Sequence, residues 1–290
     1  MSKAIVALYV DLVQKEARRV AREAVDAAHE AGYAVALCER QNETLSLADS
    51  GAAVSEAKFL VAIGGDGTLL RAARIAYPDD IPLLGVNTGR LGFLTEIELD
   101  GSGHVGRELK EMLANPSDAV IEERAMLEAR TADGRSFVAL NDVVVHKGDA
   151  SRVETFHLEL NGEHVADLPS DGIVVTTATG STAYFLSAGG PIISPRVDAF
   201  GIAALLPHTL FTRPLIVPTS ATIDIRLDSE NVRANLDVDG EIVGTLSPGD
   251  RVSICKAAKP MRFARRAPLR YFSRLEQKLR WGVSIRGTSR

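Results

Sequence analysis

Phe59-Leu60-Val61-Ala62-Ile63-Gly64-Gly65-Asp66-Gly67-Thr68, continued by Leu69 to Ala76 and closed by Pro78, is the stretch on which the fold turns. Phe59 to Ile63 is a short, continuous apolar run, the pattern of a strand buried on both faces. Leu69 to Ala76 reads as a helix. The glycine-rich turn between them therefore lies at the carboxyl end of a strand and opens a helix, where open α/β sheets place their ligands. Glycines let the backbone approach an anion closely, and helix N-terminal N–H groups complement phosphate charge. Asp66 is the informative residue, because a bare carboxylate repels phosphate. Either it shares a Mg²⁺ with the phosphates, or it takes the proton of a hydroxyl attacking a γ-phosphate. Both readings mean phosphoryl transfer. The plain structural alternative is a tight turn with Asp66 as helix N-cap.

Working outward, Ala4 to Val10 repeats the buried-strand pattern. Val13, Ala17, Val20, Ala21, Ala24, Ala28 and Ala31 then recur at helical spacing until Gly32. Tyr33 to Leu37 and Ile81 to Val86 add two strands. Strands separated by helices pair in parallel through right-handed crossovers, so an α/β domain with a parallel sheet is expected over 1–115. From Asn115-Pro116 the texture changes to strand-like runs punctuated by Asp133-Gly134, Asn161-Gly162, Asp239-Gly240 and Pro248-Gly249-Asp250. These are hairpin signals, and they predict a β-rich domain over 116–265. In 266–290, Phe272, Leu275, Leu279 and Trp281 recur at near-helical spacing, predicting a tail helix that docks this stripe on one of the domains.

With 290 residues, 46% hydrophobic and 24% charged, the chain has ample material for a core and no sign of disorder. A net charge of −5 argues against a nucleic-acid binder, which needs a basic face. The basic cluster in Lys259 to Arg270 reads as a solvated or phosphate-facing patch. Cys38 and Cys255, far apart and without CxxC spacing, fit a reducing compartment. No secretory signal and no apolar run of membrane-spanning length is seen, so a cytoplasmic protein without a membrane partner is expected. The six histidines show no metal-ligand spacing with one another, and no resident metal ligands are assigned.

Two further segments carry chemistry. In Asp171 to Tyr184 an apolar strand runs into the loop Thr176-Thr177-Ala178-Thr179-Gly180-Ser181-Thr182, rich in short hydroxyls and suited to a nucleotide, or else only to capping a helix. Two such loops on two domains suit a dinucleotide. Asn141-Asp142 offers an amide and a carboxylate side by side, able to read an adenine edge and a ribose diol, or simply to make a turn.

Taken together, GGDGTLLRAAR (64–74), IPLLGVNTGRLGFLTEI (81–97), LNDVV (140–144), SDGIVVTTATGSTAYFLSAGGPII (170–193) and Asp239-Gly240-Glu241 resemble the bacterial NAD kinase family over nearly the whole chain. Lipid kinases of the diacylglycerol and sphingosine type share GGDGT, and phosphofructokinases carry a close relative, but neither shares the rest. The resemblance implies a Rossmann-like N-terminal domain, a β-sandwich C-terminal domain and a tail that returns to the first. It implies transfer of a phosphoryl group from ATP, another triphosphate or polyphosphate to the adenosine ribose 2′-hydroxyl of NAD, with Mg²⁺ or another divalent ion, in a homodimer or homotetramer. It makes Asp66 the general base and Gly64, Gly65, Gly67 and Thr68 the phosphate-holding turn. It sets Phe93 near the adenine, with Asn141 and Thr179 hydrogen-bonding that base and Asp142 on the ribose hydroxyls. Asp171, Ala183 and Tyr184, next to Thr182, would meet the nicotinamide-ribose half across a subunit boundary. Two positions depart from the family pattern: Asp142 stands where Glu is usual, and Ala178 where Pro is usual.

Overall fold

The computed structural model describes residues 3–282 apart from 39–40, 50, 90, 100–104, 149–152 and 229–231. The chain divides into two units, one made of Met1–Glu123 with Met261–Arg290, the other of Arg124–Pro260. In the first unit the sheet runs, in spatial order, Ala34–Leu37, Ile5–Val10, Ala57–Gly64, Leu83–Asn87, Met261–Arg265 and Val120–Arg124, with Ile97–Glu98 paired to Leu83–Asn87. The pairings of its first five strands are parallel. Helix α1, Lys15–Glu30, buries Ala17, Val20, Ala21, Ala24 and Ala28 of the expected stripe, and Ala27 beside them, while Val13 precedes the helix and is exposed. Further helices are α2, Gln41–Leu45, α3, Asp66–Ala76, and α4, Val105–Ala114. Side chains of α1 and α4 pack with Val6, Leu8, Val10, Val61, Ile63, Leu84 and Val86 on one face of the sheet. Gly85, pointing the opposite way between Leu84 and Val86, faces α3: a Cβ there would lie 2.4 Å from Leu69 Cδ1. Glycine thus lets α3 settle on the second face and aims its N-terminus at the strand ends.

Three sequence expectations need correction here. The change of texture at residue 116 is not the boundary: Val120–Arg124 and Met261–Arg265 look like members of a β-rich stretch but are strands of the first unit's sheet. Nor is the Lys259 to Arg270 cluster solvated throughout: Arg266 and Arg270 are exposed, but Arg265 is not. Arg265 is 1% exposed and ion-paired with Glu122 at 2.8 Å and Glu96 at 3.3 Å, while Arg262 pairs with Asp80 and Arg266 with Glu108. A buried guanidinium needs such partners, because desolvating an unpaired charge costs several kcal/mol. Finally, the tail helix α6, Tyr271–Leu279, belongs to the first unit but does not bury its apolar stripe. Leu275 is buried; Phe272 and Trp281 are exposed.

The second unit is a β-sandwich of two six-stranded sheets. One runs Glu163–Ser170, Glu154–Leu160, Ile223–Asp228, Arg251–Lys256, Leu127–Thr131, Ser136–Ala139. The other runs Leu215–Pro218, Ala199–Leu205, Gly172–Thr177, Asp142–Lys147, Ala234–Val238, Glu241–Leu246. Both contribute to one core, with Phe156, Leu158, Ile223 and Ile254 from the first and Val143, Val145, Ile173, Val175, Phe200 and Leu236 from the second. The Asn161-Gly162 and Asp239-Gly240 turns have positive φ at both residues, as tight hairpins of matching twist require. Helix α5, Tyr184–Ser187, follows the hydroxyl-rich loop. Among the described residues no helix is long and apolar enough to cross a membrane.

Candidate active site

In the first unit the GGDGT turn ends strand Ala57–Gly64 and starts α3, as the apolar pattern implies. A Cβ on Gly64 would lie 2.3 Å from Thr68 Oγ1, so this glycine is needed for the Thr68 side chain to fold back on the turn. Around Gly65 and Gly67 a Cβ would meet nothing within 4 Å, so packing does not demand glycine there. The open space leaves the backbone bare to an anion.

The N-cap of α3 is Gly65, not Asp66. The Asp66 carboxylate instead reaches the 92–94 segment. Its Oδ2 accepts the Phe93 N–H at 3.0 Å and its Oδ1 the Leu94 N–H at 3.2 Å. Gly92 makes this possible, since a Cβ there would stand 2.4 Å from Asp66 Oδ1. A third donor, absent from the sequence reading, is the Lys278 ammonium of α6, 2.8 Å from Asp66 Oδ2 and 4.4 Å from the centroid of the Phe93 ring. That arrangement is a cation–π contact as well as an ion pair. Phe93 itself is buried. The N-cap alternative for Asp66 fails, because its side chain is held for something other than helix initiation.

In the second unit Asn141, Asp142, Thr179, Thr182, Ala183 and Tyr184 form one connected constellation. Asp239 carries its frame: Oδ2 accepts the Leu140 N–H at 2.9 Å, and Oδ1 accepts those of Asn141 at 2.7 Å and Asp142 at 3.1 Å. The Asn141 carbonyl takes the Thr176 hydroxyl at 2.9 Å and the Thr177 N–H at 2.9 Å. The bonds made by Asn141 itself all use its main chain. Gly180 lies against it so closely that a Cβ would sit 2.2 Å from the Asn141 carbonyl oxygen. Thr179 Oγ1 accepts from Arg124 Nη1 at 3.2 Å, and a hydroxyl that accepts one bond keeps a proton it can donate.

Asp142 is 5% exposed, and its carboxylate accepts the Tyr184 backbone N–H. Burial first, then the charges of Asp239 and Asp237, push its carboxyl up to about 7. Ser181, also buried, donates to the Ala178 carbonyl at 2.8 Å and accepts the Ile193 N–H at 2.9 Å, tying the loop to the following segment. Asp171 pairs with Lys147 at 2.7 Å. Asp171 and Tyr184 line one cavity of about 720 Å³ with His146, Ser187 and Leu205; Ala183 is not part of that wall.

The histidines also differ from their sequence reading. His157, His164 and Asp167, on the paired strands Glu154–Leu160 and Glu163–Ser170, bring ligand atoms within 4.8 Å of one another. Strand pairing produces this neighbourhood, which linear spacing does not reveal. His157 Nε2 faces Asp228 at 3.0 Å. His104 lies outside the described residues.

The ATP-NAD kinase N-terminal domain family matches residues 10–115, and the ATP-NAD kinase C-terminal domain family matches residues 140–266. An NAD kinase of Moorella thermoacetica is 36% identical over 285 residues, covering 96% of this chain and 90% of the relative. One of Gemmatimonas aurantiaca is 40% identical over 228 residues, 77% of each chain. Among solved structures, a yeast NADH kinase complexed with NADH superposes with a TM-score of 0.84 at 24% identity, over 100% of this chain and 91% of that one. An Archaeoglobus fulgidus NAD kinase in complex with ATP gives 0.73 at 24% identity, over 96% and 98%. The two family models, and the relatives' identity over most of the length, establish that the chain belongs to the NAD kinase family.

Proposed function

We infer that this chain is an NAD kinase that transfers the γ-phosphoryl group of ATP to the adenosine ribose 2′-hydroxyl of NAD, giving NADP. One observation carries the reading: Asp66 stands at the first turn of α3, beside backbone open to phosphate, with its carboxylate held by the 93–94 backbone and not spent on its own helix. A carboxylate so placed can accept the proton of the attacking hydroxyl, a contribution worth roughly 10²–10⁴-fold. Gly64, Gly65, Gly67 and Thr68 are assigned to the phosphates. Phe93 is assigned to the adenine, which Asn141 and the Thr179 hydroxyl would hydrogen-bond. Asp142 is assigned to the ribose hydroxyls, and Asp171, Thr182, Ala183 and Tyr184 to the nicotinamide-ribose half. The family relationship and the Asp239-clamped backbone at 140–142 support this allocation.

The residues around Asp66 fit a divalent ion that arrives on the triphosphate. Mg²⁺ needs only one or two carboxylates when phosphates and water supply its other oxygens, and Asp66 is one carboxylate with Lys278 already on one oxygen. Such an ion would neutralise phosphate charge. Chelation should therefore stop turnover while leaving the melting temperature of the protein without nucleotide unchanged. A resident structural metal would instead give a fall in melting temperature.

The assembly is taken to be a homodimer or homotetramer. Leu210, Phe211, Leu215 and Ile216 are exposed in the second unit, the first three beside a cavity of about 440 Å³ lined by Val165, Leu168 and Ile202. Apolar surface of this kind suits association with a second copy. The chain is proposed to work in the cytoplasm, consistent with two cysteines that form no disulfide.

The deciding assay incubates the protein with NAD, Mg²⁺ and either ATP or polyphosphate, then reads NADP with an NADP-dependent dehydrogenase. NADP formation with ATP is expected. NAD binding without product would make the chain a sensor, and neither binding nor product would overturn the reading.

A further inference from the structure

The tail helix was expected to dock an apolar stripe, yet Phe272 and Trp281 are exposed, and α6 offers the first unit two cations one turn apart. These two make different kinds of contact. Arg274 is held by the framework: its Nη1 donates to the Gly92 carbonyl at 3.0 Å and lies 3.4 Å from Glu98, with the neighbouring Leu275 buried. Burial pulls its pKa down, so its site is desolvated as well as paired. Arg274 and Leu275 thus anchor α6 to the first unit. Lys278 lies beyond that anchor, its side chain 30% exposed, with the ammonium on Asp66 Oδ2 and over the Phe93 ring.

Asp66 does not need Lys278 for its orientation. The N–H groups of Phe93 and Leu94 fix both carboxylate oxygens, and Gly92 admits the carboxylate against the backbone. Of the three donors around it, two are main chain and cannot leave. The third sits on a flexible four-carbon arm. Among the described residues, the mobile ammonium of Lys278 thus sits on an oxygen of the group that has to accept a proton, next to a turn whose open glycines face an anion.

We propose that Lys278 is a catalytic residue of the phosphoryl transfer: paired with Asp66 at rest, its ammonium passes to the transferring phosphoryl group as the triphosphate enters. This rests on the reading of Asp66 as general base. At rest the pair cancels the charge that would repel the triphosphate. During transfer the 2′-oxygen forms a bond to the γ-phosphorus, and the bond from that phosphorus to the β,γ-bridging oxygen breaks. The nucleoside diphosphate leaves with the electron pair, and the hydroxyl proton goes to the Asp66 oxygen that Lys278 has vacated. Lys278 neither gains nor loses a proton. It supplies positive charge to phosphoryl oxygens whose charge is redistributed in the transition state, where one well-placed donor is worth about 10²–10³-fold in kcat.

The test uses full-length Lys278→Met, Lys278→Arg, Arg274→Met and Asp66→Asn, with kcat, KM for NAD, melting temperature and calorimetric binding of inorganic tripolyphosphate. Lys278→Met is expected to lose at least about 10²-fold in kcat and to bind tripolyphosphate more weakly. Its KM for NAD should change less than about threefold, with melting close to the parent's, and Lys278→Arg should recover at least about tenfold of the lost rate. Arg274→Met, which unseats the helix, should lower the melting temperature more than Lys278→Met does. If Lys278→Met keeps kcat within about threefold of the parent, the proposal is wrong. It is equally wrong if Lys278→Met follows Arg274→Met in losing melting temperature and rate together without rescue by arginine, for the lysine is then only part of the helix seat. An inactive Asp66→Asn beside an active Lys278→Met defeats this proposal alone, whereas an active Asp66→Asn defeats the general-base reading beneath it.

Discussion

Asp66→Asn separates chemistry from architecture because the site gives the two different costs. Asparagine keeps the outline of aspartate but replaces one oxygen with an NH₂ group. Both Asp66 oxygens accept N–H donors, so whichever way the amide turns, its NH₂ meets a donor. The cheaper orientation keeps the oxygen toward Phe93 and Lys278 and turns the NH₂ to the Leu94 N–H. That forfeits one hydrogen bond to a charged acceptor, about 1.5–3 kcal/mol. Lys278 also loses its counter-charge, worth up to about 1 kcal/mol for a partly exposed pair. A loss near 2–3 kcal/mol corresponds to a melting shift of about 4–12 °C for a chain of this size. The rate should fall by at least about 10²-fold, since the amide accepts no proton at neutral pH. NAD affinity, measured by calorimetry, should move little, because the change removes negative charge from a phosphate-facing turn. An N-capping Asp66 would have given no change in either quantity, asparagine being as good a cap. The measurements are kcat by the coupled NADP assay, calorimetry with NAD, and thermal melting. A variant with lowered melting temperature and near-normal turnover would refute the reasoning, leaving Asp66 as a brace for the 92–94 segment and no base at the site.

Asp142→Asn tests the buried carboxyl through pH. The folded group titrates at about 7 and the unfolded one near 3.9, so between those values the native chain holds a proton the unfolded chain has lost, and stability falls as pH rises through that window. The variant should therefore gain on the parent by on the order of 1–4 kcal/mol at pH 8 and by almost nothing at pH 4, seen as a pH-dependent gap in denaturant midpoints; a constant gap would show that Asp142 is ionised throughout. Gly180→Ala forces a Cβ onto the Asn141 carbonyl, which is backbone and cannot swing aside. A cost of about 1–3 kcal/mol and a raised KM for NAD are expected, and unchanged kinetics would detach this loop from the ligand. Phe211→Asp places a charge on the exposed apolar surface of the second unit. Light scattering should show a smaller assembly than the parent's, and an unaltered mass would move the interface elsewhere.

How far the sequence could be read depended on whether a feature was local. The run from Phe59 to Ala76 announces strand, turn and helix because burial period, glycine and helix spacing all fall within one short segment. The same holds for α1 and for the Asn161-Gly162 and Asp239-Gly240 turns. Helix α4 carries the same signal, with Val105, Leu109 and Leu113 on one face, but the polar, glycine-containing sequence before it blurs where it starts. Non-local features were misread for physical reasons. Arg265 looks solvated in a basic run because its carboxylate partners, Glu122 and Glu96, are far away in sequence. The α6 stripe looks like a docking face because hydrophobic spacing cannot foresee that a helix may be held by an arginine on a backbone carbonyl. Lys278 meets Asp66 across 212 residues, and no spacing rule joins them. His157 and His164 become neighbours only once their strands pair.

Both ligand-suited loops rest on one structural device, a carboxylate that gathers backbone N–H groups from another segment, and the difference between the two carboxylates indicates which one reacts. Asp239 accepts three main-chain donors from Leu140, Asn141 and Asp142, in a buried turn. Each donor is fixed by the fold, so moving the carboxylate would leave buried N–H groups without partners at about 1–3 kcal/mol each. Its charge is committed to geometry, and it also raises the pKa of Asp142 beside it. Asp66 accepts two main-chain donors and one ammonium on a movable arm, and its side chain is 26% exposed. One of its bonds can therefore be exchanged for a substrate group at the cost of a partly exposed ion pair, about 1 kcal/mol or less. Of two aspartates that sequence alone presents as equally motif-bound, only Asp66 can change partners cheaply, and a proton acceptor must do so on every turnover.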